Sequence, residues 1–325
     1  MTPTLFVMDP LSRINVAGDS TYMLMLEARR RGWPVWCCTP GDLTALGGRG
    51  RARATPVEVR RGPVPFETGP VEDRDLGDFD VIWMRKDPPF DMAYIFTTYL
   101  LDLAPAHTLV LNDPAGLRNR NEKLFAQRFA TYSPHTLITH HLAEAVAFVR
   151  AAPDRVVLKP WDGNGGRGVL VTHKGDDNLR SMLETLTREG QDYILLQHYL
   201  PAIKQGDKRI ILVDGVPRGA MLRVPQAGDH RGNMHVGAQV QACTLTAREV
   251  ELCAAMGPQL RAEGLVFVGI DVIGDALTEI NVTSPTGIQE INRLDGVQLE
   301  VEITDAVVRR LEDRAARGIR RPSGS

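Results

Sequence analysis

A lysine followed by a run of glycines is the first feature whose residue types could do chemistry. Lys159 ends an apolar segment and is followed by a glycine cluster, Gly163, Gly165, Gly166 and Gly168. Glycines let backbone N–H groups wrap a phosphate, and a lysine on the preceding strand adds positive charge. A plain glycine-rich turn is the alternative. Because Val169–Thr172 has the pattern of a strand, the Walker A loop and the dinucleotide fingerprint, which both open a helix, are disfavoured.

Polar and apolar residues alternate late in the chain, where we predict a strand. This alternation places Glu279, Asn281 and Thr283 on one face of the strand, and Asp271 lies in the apolar segment before it. Carboxylate and amide oxygens are the ligands that Mg²⁺ takes in proteins. The sequence therefore indicates a magnesium site, with a solvated strand face as the alternative.

Cationic residues form a third series, which comprises Lys123, Lys159, Lys208, Arg209 and Arg223. Such charges are usually solvated, but Arg209 and Arg223 each lie at the edge of an apolar segment. The planar guanidinium of arginine suits a carboxylate or a transferring phosphoryl group. We interpret these two arginines as candidates for contact with a reacting anion.

Short apolar runs alternate with amphipathic stretches along the whole chain, which predicts an α/β fold. The clearest predicted strands are Leu5–Met8, Val35–Cys38, Val81–Met84 and Arg155–Pro160, and the clearest helices are Ser20–Arg31, Asn121–Ala130, Thr246–Glu263 and Val297–Arg317. The stretch 47–70, rich in Gly, Arg and Pro, is predicted to be a surface excursion in which Val57–Val59 could form an edge strand.

A hairpin of Val266–Ile273 and Leu277–Val282 is predicted to carry the metal ligands. Asp271 and Glu279 share a face only if they lie opposite each other. A three-residue loop, Gly274-Asp275-Ala276, produces that pairing, whereas a regular hairpin with a two-residue loop turns Asp271 away. We therefore predict the three-residue loop.

Composition excludes several classes of protein. There are 38 Lys and Arg against 40 Asp and Glu, for a formal charge of −2, and this balance lacks the basic footprint of a nucleic-acid binder. No segment approaches the ~20 apolar residues that span a bilayer. The four cysteines have no metal or redox spacing, which fits a reducing compartment. We therefore expect a cytoplasmic protein that binds neither nucleic acid nor membrane.

Several longer motifs, taken in order along the chain, resemble the ATP-grasp superfamily and, within it, the bacterial glutathione synthetase family. They are Met-Arg-Lys-Asp-Pro-Pro-Phe-Asp at 84–91, Asn-Glu-Lys-Leu-Phe at 121–125, the Lys159 glycine loop, Tyr-Leu-Pro-Ala-Ile-Lys at 199–204, Gly-Asp-Lys-Arg at 206–209 and Thr-Glu-Ile-Asn-Val-Thr-Ser-Pro at 278–285. The first and last are far more specific than a glycine-rich loop. The matching stretches run from Met8 to about Ile291.

The resemblance implies an N-terminal Rossmann-like domain over residues 1–120 and an ATP-grasp domain over 121–317. The second would consist of a lid lobe, 121–200, and a catalytic lobe, 201–317. It implies that ATP phosphorylates γ-glutamylcysteine and that glycine then displaces phosphate, giving glutathione and ADP. The implied cofactors are ATP and Mg²⁺, with Mn²⁺ as an alternative ion. The implied oligomeric state is a homodimer or a homotetramer. A ligase that joins another amine or acidic peptide is the alternative function, and a nucleotide-binding regulatory protein without turnover is a more distant one.

The resemblance also implies a role for each matched residue. Phosphates and nucleotide would be held by Lys123, Lys159, Gly163, Gly165, Gly166, Gln197, Tyr199, Leu200 and Asp207. The metal ligands would be Asp271, Glu279 and Asn281. Arg209 and Arg223 would clamp the reacting carboxylate and acyl phosphate, and the peptide would be held by Arg85, Asp87, Asp91 and Ser284.

The segment Pro225–Gln239 is predicted to be a lid over the reacting centre, with Arg231, Gly232 and Asn233 as its functional residues. An acyl phosphate exposed to water hydrolyses, so the site must close during the reaction. The family loop usually ends in Gly-Gly-Arg, whereas this chain has Gly237-Ala238-Gln239 and so lacks one cation. The phosphate loop also departs, with Gly165-Gly166-Arg167 in place of Gly-Gly-Ala.

Overall fold

The structure is a computed structural model that describes residues 1–163, 165–225 and 239–321. Within these ranges the strands form three sheets, and helices pack on them. The predicted α/β class is confirmed. No helix in the described ranges has both the length and the apolar composition needed to cross a membrane.

The N-terminal sheet has parallel strands at its centre. The elements are β1 Thr4–Val7, α1 Ser20–Arg30, β2 Val35–Cys38, β3 Leu43–Leu46, β4 Arg49–Val59, β5 Phe66–Thr68, β6 Glu72–Asp75, β7 Val81–Met84, α2 Met92–Leu101, β8 Leu109–Leu111 and α3 Pro114–Asn119. The order is β3-β4-β2-β1-β7-β8, with β5 and β6 paired to β4. Strands β2, β1, β7 and β8 are parallel. Asp19 caps α1 by accepting a hydrogen bond from Tyr22 N at 2.6 Å.

The prediction of a surface excursion over residues 47–70 is wrong. Strand β4 occupies Arg49–Val59 and pairs antiparallel with β2, β3, β5 and β6. Gly50, Ala52 and Ala54 are buried at alternate positions, and Val57 and Val59 are buried in a different hydrophobic cluster. The period-two pattern of a strand is present, but its first three buried positions carry residues too small to give a strong hydrophobic signal.

The second sheet is a small antiparallel one. Its region contains α4 Glu122–Phe125, a 3₁₀ helix Ala126–Tyr132, β9 Thr136–Thr139, α5 Leu142–Ala151, β10 Val156–Pro160, β11 Leu170–Thr172, α6 Leu179–Leu186 and β12 Ile194–His198. The strand order is β11-β10-β12-β9. The helix predicted over Asn121–Ala130 is α-helical only in its first turn: α4 ends at Phe125, and the chain continues as the 3₁₀ helix, in which Phe129 has a non-helical backbone (φ −112°, ψ 43°).

The third sheet is antiparallel and carries most of the predicted site. Its region contains β13 Asp207–Val213, β14 Val216–Val224, β15 Gln239–Ala242, α7 Ala247–Ala262, β16 Phe267–Ile273, β17 Ala276–Asn281, α8 Ile288–Asp295 and α9 Leu299–Ala316. The order is β15-β14-β13-β16-β17. Thr246 caps α7 in a capping box with Glu249, and the helix continues through Pro258.

The β16–β17 hairpin has a shorter loop than predicted, but Asp271 and Glu279 are paired as predicted. Ile273 lies opposite Ala276, so the loop has two residues, Gly274 and Asp275, and the three-residue prediction is wrong. Asp271 nevertheless lies opposite Glu279, because Thr278 forms a β-bulge that shifts the register between Asp271 and Val272. Thr278 Oγ1 donates to Asp271 O at 3.1 Å and fixes this bulge.

Hydrophobic packing joins the first and third sheets and leaves the second separate. Two buried clusters each contain residues of both sheets; one joins Leu5 to Ile210, and the other joins Phe6 to Ile211. The third cluster contains only residues between Ala145 and Leu196. The small antiparallel sheet therefore has a core of its own.

Candidate active site

A cleft lies between the second and third sheets. It is lined by eleven of the predicted nucleotide and metal residues: Lys123, Lys159, Gly163, Gly165, Gly166, Gln197, Tyr199, Leu200, Asp207, Asp271 and Glu279. Apolar side chains, among them Val157, Val169 and Ile203, complete the lining. An apolar cleft with a few convergent polar groups is the usual form of a small-molecule site.

Lys123 is placed at the junction of the two sheets by the start of α4. Asn121 caps this helix by accepting hydrogen bonds from Lys123 N and Leu124 N, both at 3.1 Å. The Lys123 ammonium lies 3.1 Å from Glu279 Oε1 and donates to Gly163 O. One buried lysine thus connects the predicted metal strand with the glycine loop.

The glycine loop takes conformations that suit only glycine. Gly165 and Gly166 have φ of +60° and +78°. A Cβ on Gly163 would lie 2.6 Å from Pro160 Cγ and 3.0 Å from Arg167 O. The loop therefore presents backbone to the cleft, as an anion-binding loop does.

Lys159 differs from Lys123 because it forms no ion pair with any described residue. Burial lowers its pKa, and the nearby Glu279 charge opposes that shift. Lys159 is half-buried, and a desolvated ammonium without an ionic partner is unfavourable, so an anionic ligand in the cleft would remove this cost.

The hinge segment 197–200 forms one edge of the cleft. Gln197 is buried and donates from Nε2 to Thr136 Oγ1 at 3.1 Å. The Arg155 guanidinium lies 3.7 Å from the centre of the Tyr199 ring, and Tyr199 N donates to Arg155 O at 2.9 Å. These contacts hold the hinge residues in place from behind the cleft.

Two arginines and two aspartates form a buried cluster beneath the cleft. Arg209 donates to both oxygens of Asp271, at 2.6 Å from Nε and 3.0 Å from a terminal nitrogen. A terminal nitrogen of Arg223 lies 2.6 Å from Asp207 and 2.9 Å from Asp271. All four side chains are at most 11% exposed, so two positive charges balance two negative ones away from water.

The two aspartates of this cluster have opposite pKa shifts. Burial raises the pKa of Asp207 to about 6 against the pull of Arg223, and the charge of Asp271 adds to the rise. Burial also acts on Asp271, but Arg209 and Arg223 outweigh it and hold its pKa below the usual range. Asp271 is therefore the ionised member of the pair at acidic pH.

Asp207 has an unused acceptor within the cleft lining. Its Oδ2 accepts from Arg223, while its buried Oδ1 has no hydrogen-bond partner among the described residues. A buried acceptor without a donor is costly. A hydroxyl group of a bound ligand would satisfy it.

The predicted metal ligands lie together and have a donor set suited to Mg²⁺. Asp271 and Glu279 are opposite each other, and Asn281 Nδ2 donates to Asp271 Oδ2 at 3.2 Å. No group of three or more His, Cys, Asp and Glu side chains suited to a metal occurs in the described ranges, so the set consists of two carboxylates and one amide oxygen. Mg²⁺ is commonly held by one or two carboxylates with substrate phosphates and water, and the residues fit this ion.

The predicted peptide-binding residues lie outside the cleft lining, on the far side of Arg209. Arg85 is buried and donates to Thr21 Oγ1 at 3.0 Å and to Pro285 O at 2.9 Å. Ser284 Oγ lies 3.4 Å from Arg85 O, and Arg209 donates to Thr286 O at 3.3 Å. The segment 284–286 therefore connects Arg85 with the arginine cluster.

Two other residues predicted to hold the peptide are exposed. Asp91 caps α2 by accepting from Tyr94 N at 2.9 Å, and Asp87 N donates to Asp9 at 3.0 Å. The predicted lid residues Arg231, Gly232 and Asn233 lie outside the described residues.

Two residues near the site were missed by the sequence reasoning. Glu122 Oε1 accepts from Val282 N, Thr283 N and Thr283 Oγ1, so it fixes α4 against the end of β17. Burial raises its pKa, and the charge of Glu279 adds to the rise. Asn112 donates to Phe267 O and Val282 O and accepts from Val266 N and Phe267 N. Glu122 lies beside Lys123 in the quoted motif, whereas nothing in the sequence marks Asn112.

The fold is that of ATP-grasp ligases of known structure. The structure resembles that of D-cycloserine synthetase DcsG, with a TM-score of 0.64 and 16% identity over 95% of this chain and 99% of that one. It also resembles the ATP-grasp ligase PsnB, with a TM-score of 0.60 and 13% identity over 96% and 98% of the two chains. At these identities the likeness concerns the fold.

Comparison with sequence families identifies the family. The family described as prokaryotic glutathione synthetase, N-terminal domain, matches residues 3–118, and the prokaryotic glutathione synthetase ATP-grasp domain matches 122–296. The glutathione synthetase of Gloeobacter violaceus is 46% identical over 97% of this chain and 99% of its own length. That of Brucella melitensis is 47% identical over 92% and 96%. The chain belongs to the prokaryotic glutathione synthetase family.

Proposed function

We propose that this chain joins γ-glutamylcysteine to glycine at the expense of ATP and releases glutathione, ADP and phosphate. The observation that carries the proposal is the cleft between the two sheets, where Lys123, Lys159 and the glycine loop face Asp271 and Glu279. Relatives named glutathione synthetase match the chain over nearly its whole length. The division into domains at residues 1–120 and 121–317 remains part of this proposal.

The nucleotide occupies the cleft in this proposal. Its phosphates contact Lys123, Lys159 and the backbone of Gly163, Gly165 and Gly166, and its adenine lies at Gln197–Leu200. Support comes from the ammonium of Lys159, which has no ion pair among the described residues, and from the left-handed glycines, because both favour an anion. The ribose bonds to Asp207, whose free buried oxygen accepts a hydroxyl.

A divalent ion completes the site, and we propose Mg²⁺, with Mn²⁺ as an ion that the same oxygens accept. Asp271, Glu279 and Asn281 hold it. When bound, the ion neutralises phosphate charge. In the ligand-free structure Arg209, Arg223 and Lys123 neutralise these carboxylates instead. Binding of the ion therefore requires these cations to turn towards the substrate anions.

The reaction has two steps. The carboxylate of the cysteine residue in γ-glutamylcysteine attacks the γ-phosphorus of ATP. The bond between the γ-phosphorus and the oxygen of ADP breaks, and an acyl phosphate forms. The free amine of glycine then attacks the acyl carbon, phosphate leaves, and the nitrogen loses a proton. Once turned towards the substrate anions, Arg209 and Arg223 stabilise the charge that spreads over the carboxylate and the phosphoryl group, which is electrostatic catalysis.

Arg85, Ser284, Asp87 and Asp91 hold the peptide in this proposal. Support comes from the segment 284–286, through which Arg85 and Arg209 are linked by backbone hydrogen bonds. We place the reaction in the cytoplasm, where ATP is available and thiols are kept reduced. We also propose that the protein is a homodimer or homotetramer.

The test is ADP release measured with ATP and Mg²⁺, in all combinations of γ-glutamylcysteine and a panel of amines. We expect ADP release that requires the peptide, and a product with the mass of glutathione only with glycine. Turnover with another amine or peptide and not with this pair would replace the proposal by a different ligase. Nucleotide binding without turnover under any combination would contradict an enzymatic role.

A further inference from the structure

Glu122 lies beside the active site but has no role in the proposed reaction. It is the first residue of α4, between Asn121, which caps the helix, and Lys123. Its Oε1 accepts three hydrogen bonds, from Val282 N at 3.1 Å, from Thr283 N at 3.1 Å and from Thr283 Oγ1 at 2.7 Å. Hydrogen bonds to a charged group are about twice as strong as neutral ones, so this oxygen is a firm anchor for the backbone that it holds.

These hydrogen bonds begin where the pairing of β17 with β16 ends. Asn281 is the last paired residue of β17. Val282 and Thr283 follow it and are 0% and 2% exposed, so their N–H groups need an acceptor within the protein. Glu122 supplies that acceptor in place of a neighbouring strand. The position of Asn281, a proposed metal ligand, therefore depends on Glu122.

The start of α4 also reaches the phosphate side of the cleft. Lys123, the residue after Glu122, lies 3.1 Å from Glu279 Oε1 on β17. Asn121 Nδ2 donates to Trp161 O at 3.2 Å, shortly before the glycine loop. Three consecutive residues thus contact the metal strand, the segment after that strand and the approach to the glycine loop. Movement of this turn would displace metal and phosphate contacts together.

Apolar packing holds α4 independently of Glu122. Phe125, and Ala126 just past the helix, belong to the same buried cluster as Ile280 and Val282. Loss of the Glu122 hydrogen bonds should therefore leave the helix attached, while its first turn and the end of β17 become less precisely placed. Substitution of a residue that supports metal ligands in this way commonly lowers metal affinity or activity by about 10- to 100-fold.

We propose that Glu122 is a positioning residue for the metal and phosphate centre. By holding the backbone after β17 it fixes Asn281 within the set of metal ligands, and by its place in α4 it keeps Lys123 beside Glu279. Glu122 acts through these neighbours and not by contact with a substrate. This inference rests on the proposed function, because it takes Asn281 and Lys123 as contacts of the ion and the phosphates.

The test is calorimetric titration of ATP into the full chain at a series of Mg²⁺ concentrations, without peptide or amine. Glu122→Met keeps the length of the side chain and removes its acceptors. We expect the Mg²⁺ concentration that gives half of the gain in ATP affinity to rise about 10- to 100-fold in this variant. Glu122→Gln keeps an acceptor oxygen and should stay within about threefold of wild type.

Asp42 provides a matched control in the N-terminal part of the chain, outside the cleft lining. Its Oδ2 accepts from Thr39 N at 2.9 Å and from Thr39 Oγ1 at 2.6 Å, the same pair of donors that Thr283 presents to Glu122. Asp42→Leu should lower the Tm about as much as Glu122→Met does, and it should leave the Mg²⁺ dependence unchanged. Thermal unfolding of both variants therefore separates a loss of stability from a loss of positioning.

Hydrogen exchange in the ligand-free protein gives a second readout. The amides of Val282 and Thr283 should exchange faster in Glu122→Met than in wild type, and no faster in Asp42→Leu. Unchanged exchange at both amides, or the same Mg²⁺ dependence in Glu122→Met and wild type, would overturn the positioning role. An equal loss in Glu122→Gln and Glu122→Met would overturn it too, because the charge and not the hydrogen bonding would then matter.

None of these measurements requires turnover. A chain that binds ATP with Mg²⁺ but makes no glutathione would contradict the proposed function, and the comparison of the Glu122 variants would still decide the positioning role.

Discussion

The two walls of the cleft differ in whether their charges are paired within the protein. The wall formed by β13, β16 and β17 is balanced without a ligand, because Arg209 and Arg223 pair with Asp207 and Asp271. The wall formed by β10 and its glycine loop has a half-buried lysine, Lys159, with no ion pair among the described residues. The charges of the first wall are balanced before anything binds, and the charge of the second is balanced only by an anion.

The two walls also differ in how much hydrophobic packing supports them. The balanced wall shares its hydrophobic clusters with the N-terminal sheet, whereas the other has only the small cluster between Ala145 and Leu196. Residues in the first wall should therefore affect stability and turnover together. Residues in the second should affect ligand affinity alone.

The largest expected effect is that of Arg209→Ala. Removing one partner of a buried pair costs about 3–5 kcal/mol of the free energy of unfolding. Loss of one transition-state donor lowers kcat by about 10²-fold or more. Urea denaturation measures the free energy of unfolding, and steady-state kinetics measure kcat. The Kd for ATP is expected to change little.

Arg218→Ala is the matched control, because Arg218 forms an exposed pair with Glu302 at 3.4 Å on the same sheet. A surface pair contributes about 1 kcal/mol or less. Loss of ATP affinity with an unchanged kcat in Arg209→Ala would place this arginine in the nucleotide site instead.

Lys159→Met should have the opposite profile. Loss of a charge-assisted hydrogen bond of about 1.5–3 kcal/mol weakens ATP binding by about 10- to 100-fold. The Tm without nucleotide should stay equal or rise, since the substitution removes a desolvated charge that has no ion pair among the described residues. Calorimetric titration and thermal unfolding test this pair of effects. A clearly lower Tm without nucleotide would show that both walls contribute to stability alike.

The pH dependence of stability should distinguish Asp207 from Asp271. Because the pKa of Asp207 is raised in the folded state, to about 6, its stabilising contribution is full below pH ~4 and is lost as the pH rises to 6. Asp271, whose pKa is lowered, contributes above its unfolded pKa and loses this contribution only in acid.

The variant Asp207→Asn isolates the first effect. Relative to wild type, it should gain about 1–3 kcal/mol of unfolding free energy between pH 4 and pH 7. Denaturation at several pH values measures this difference. Parallel curves for the two proteins would contradict a raised pKa at Asp207.

The smallest effect concerns the bulge that keeps Asp271 opposite Glu279. Thr278→Val removes the hydrogen bond to Asp271 O and should cost about 1 kcal/mol of stability. Mg²⁺ binding should weaken a few-fold, because the bulge sets the register of the ligands. Thr97→Val is the control, since Thr97 Oγ1 makes a comparable bond to Ala93 O at 2.8 Å within α2. Equal Mg²⁺ affinities in the two variants would remove the bulge from the site.

The sequence predicted those features that depend on local pattern. The alternation around Glu279 and Asn281 placed both on one strand face, and the spacing of the glycines predicted a loop that presents its backbone. The family motifs predicted that Lys123 and Asp207, which are far apart in the chain, belong to one nucleotide site, and both residues line the cleft. These features follow from periodicity, glycine geometry and motif order.

Other features depend on packing that one sequence does not encode locally. The small inward residues of β4, such as Ala52 and Ala54, become a strand face only against β2 and its neighbours. The bulge at Thr278 gives the predicted pairing through a loop of a different length. The mutual neutralisation of Arg209 and Asp271 results from pairing of β13 with β16, which no spacing reveals.

Asn112 has a consequence for the order in which the chain folds. Its four hydrogen bonds to β16 and the end of β17 join segments about 155 to 170 residues apart. Contacts at such separation require a large loss of chain entropy, so they form after local ones. The small antiparallel sheet lies inside that loop, and its paired residues are no more than 61 positions apart in the chain. We expect the small antiparallel sheet to fold first, as a unit. The contacts of Asn112 with β16 and the end of β17 should form among the last steps.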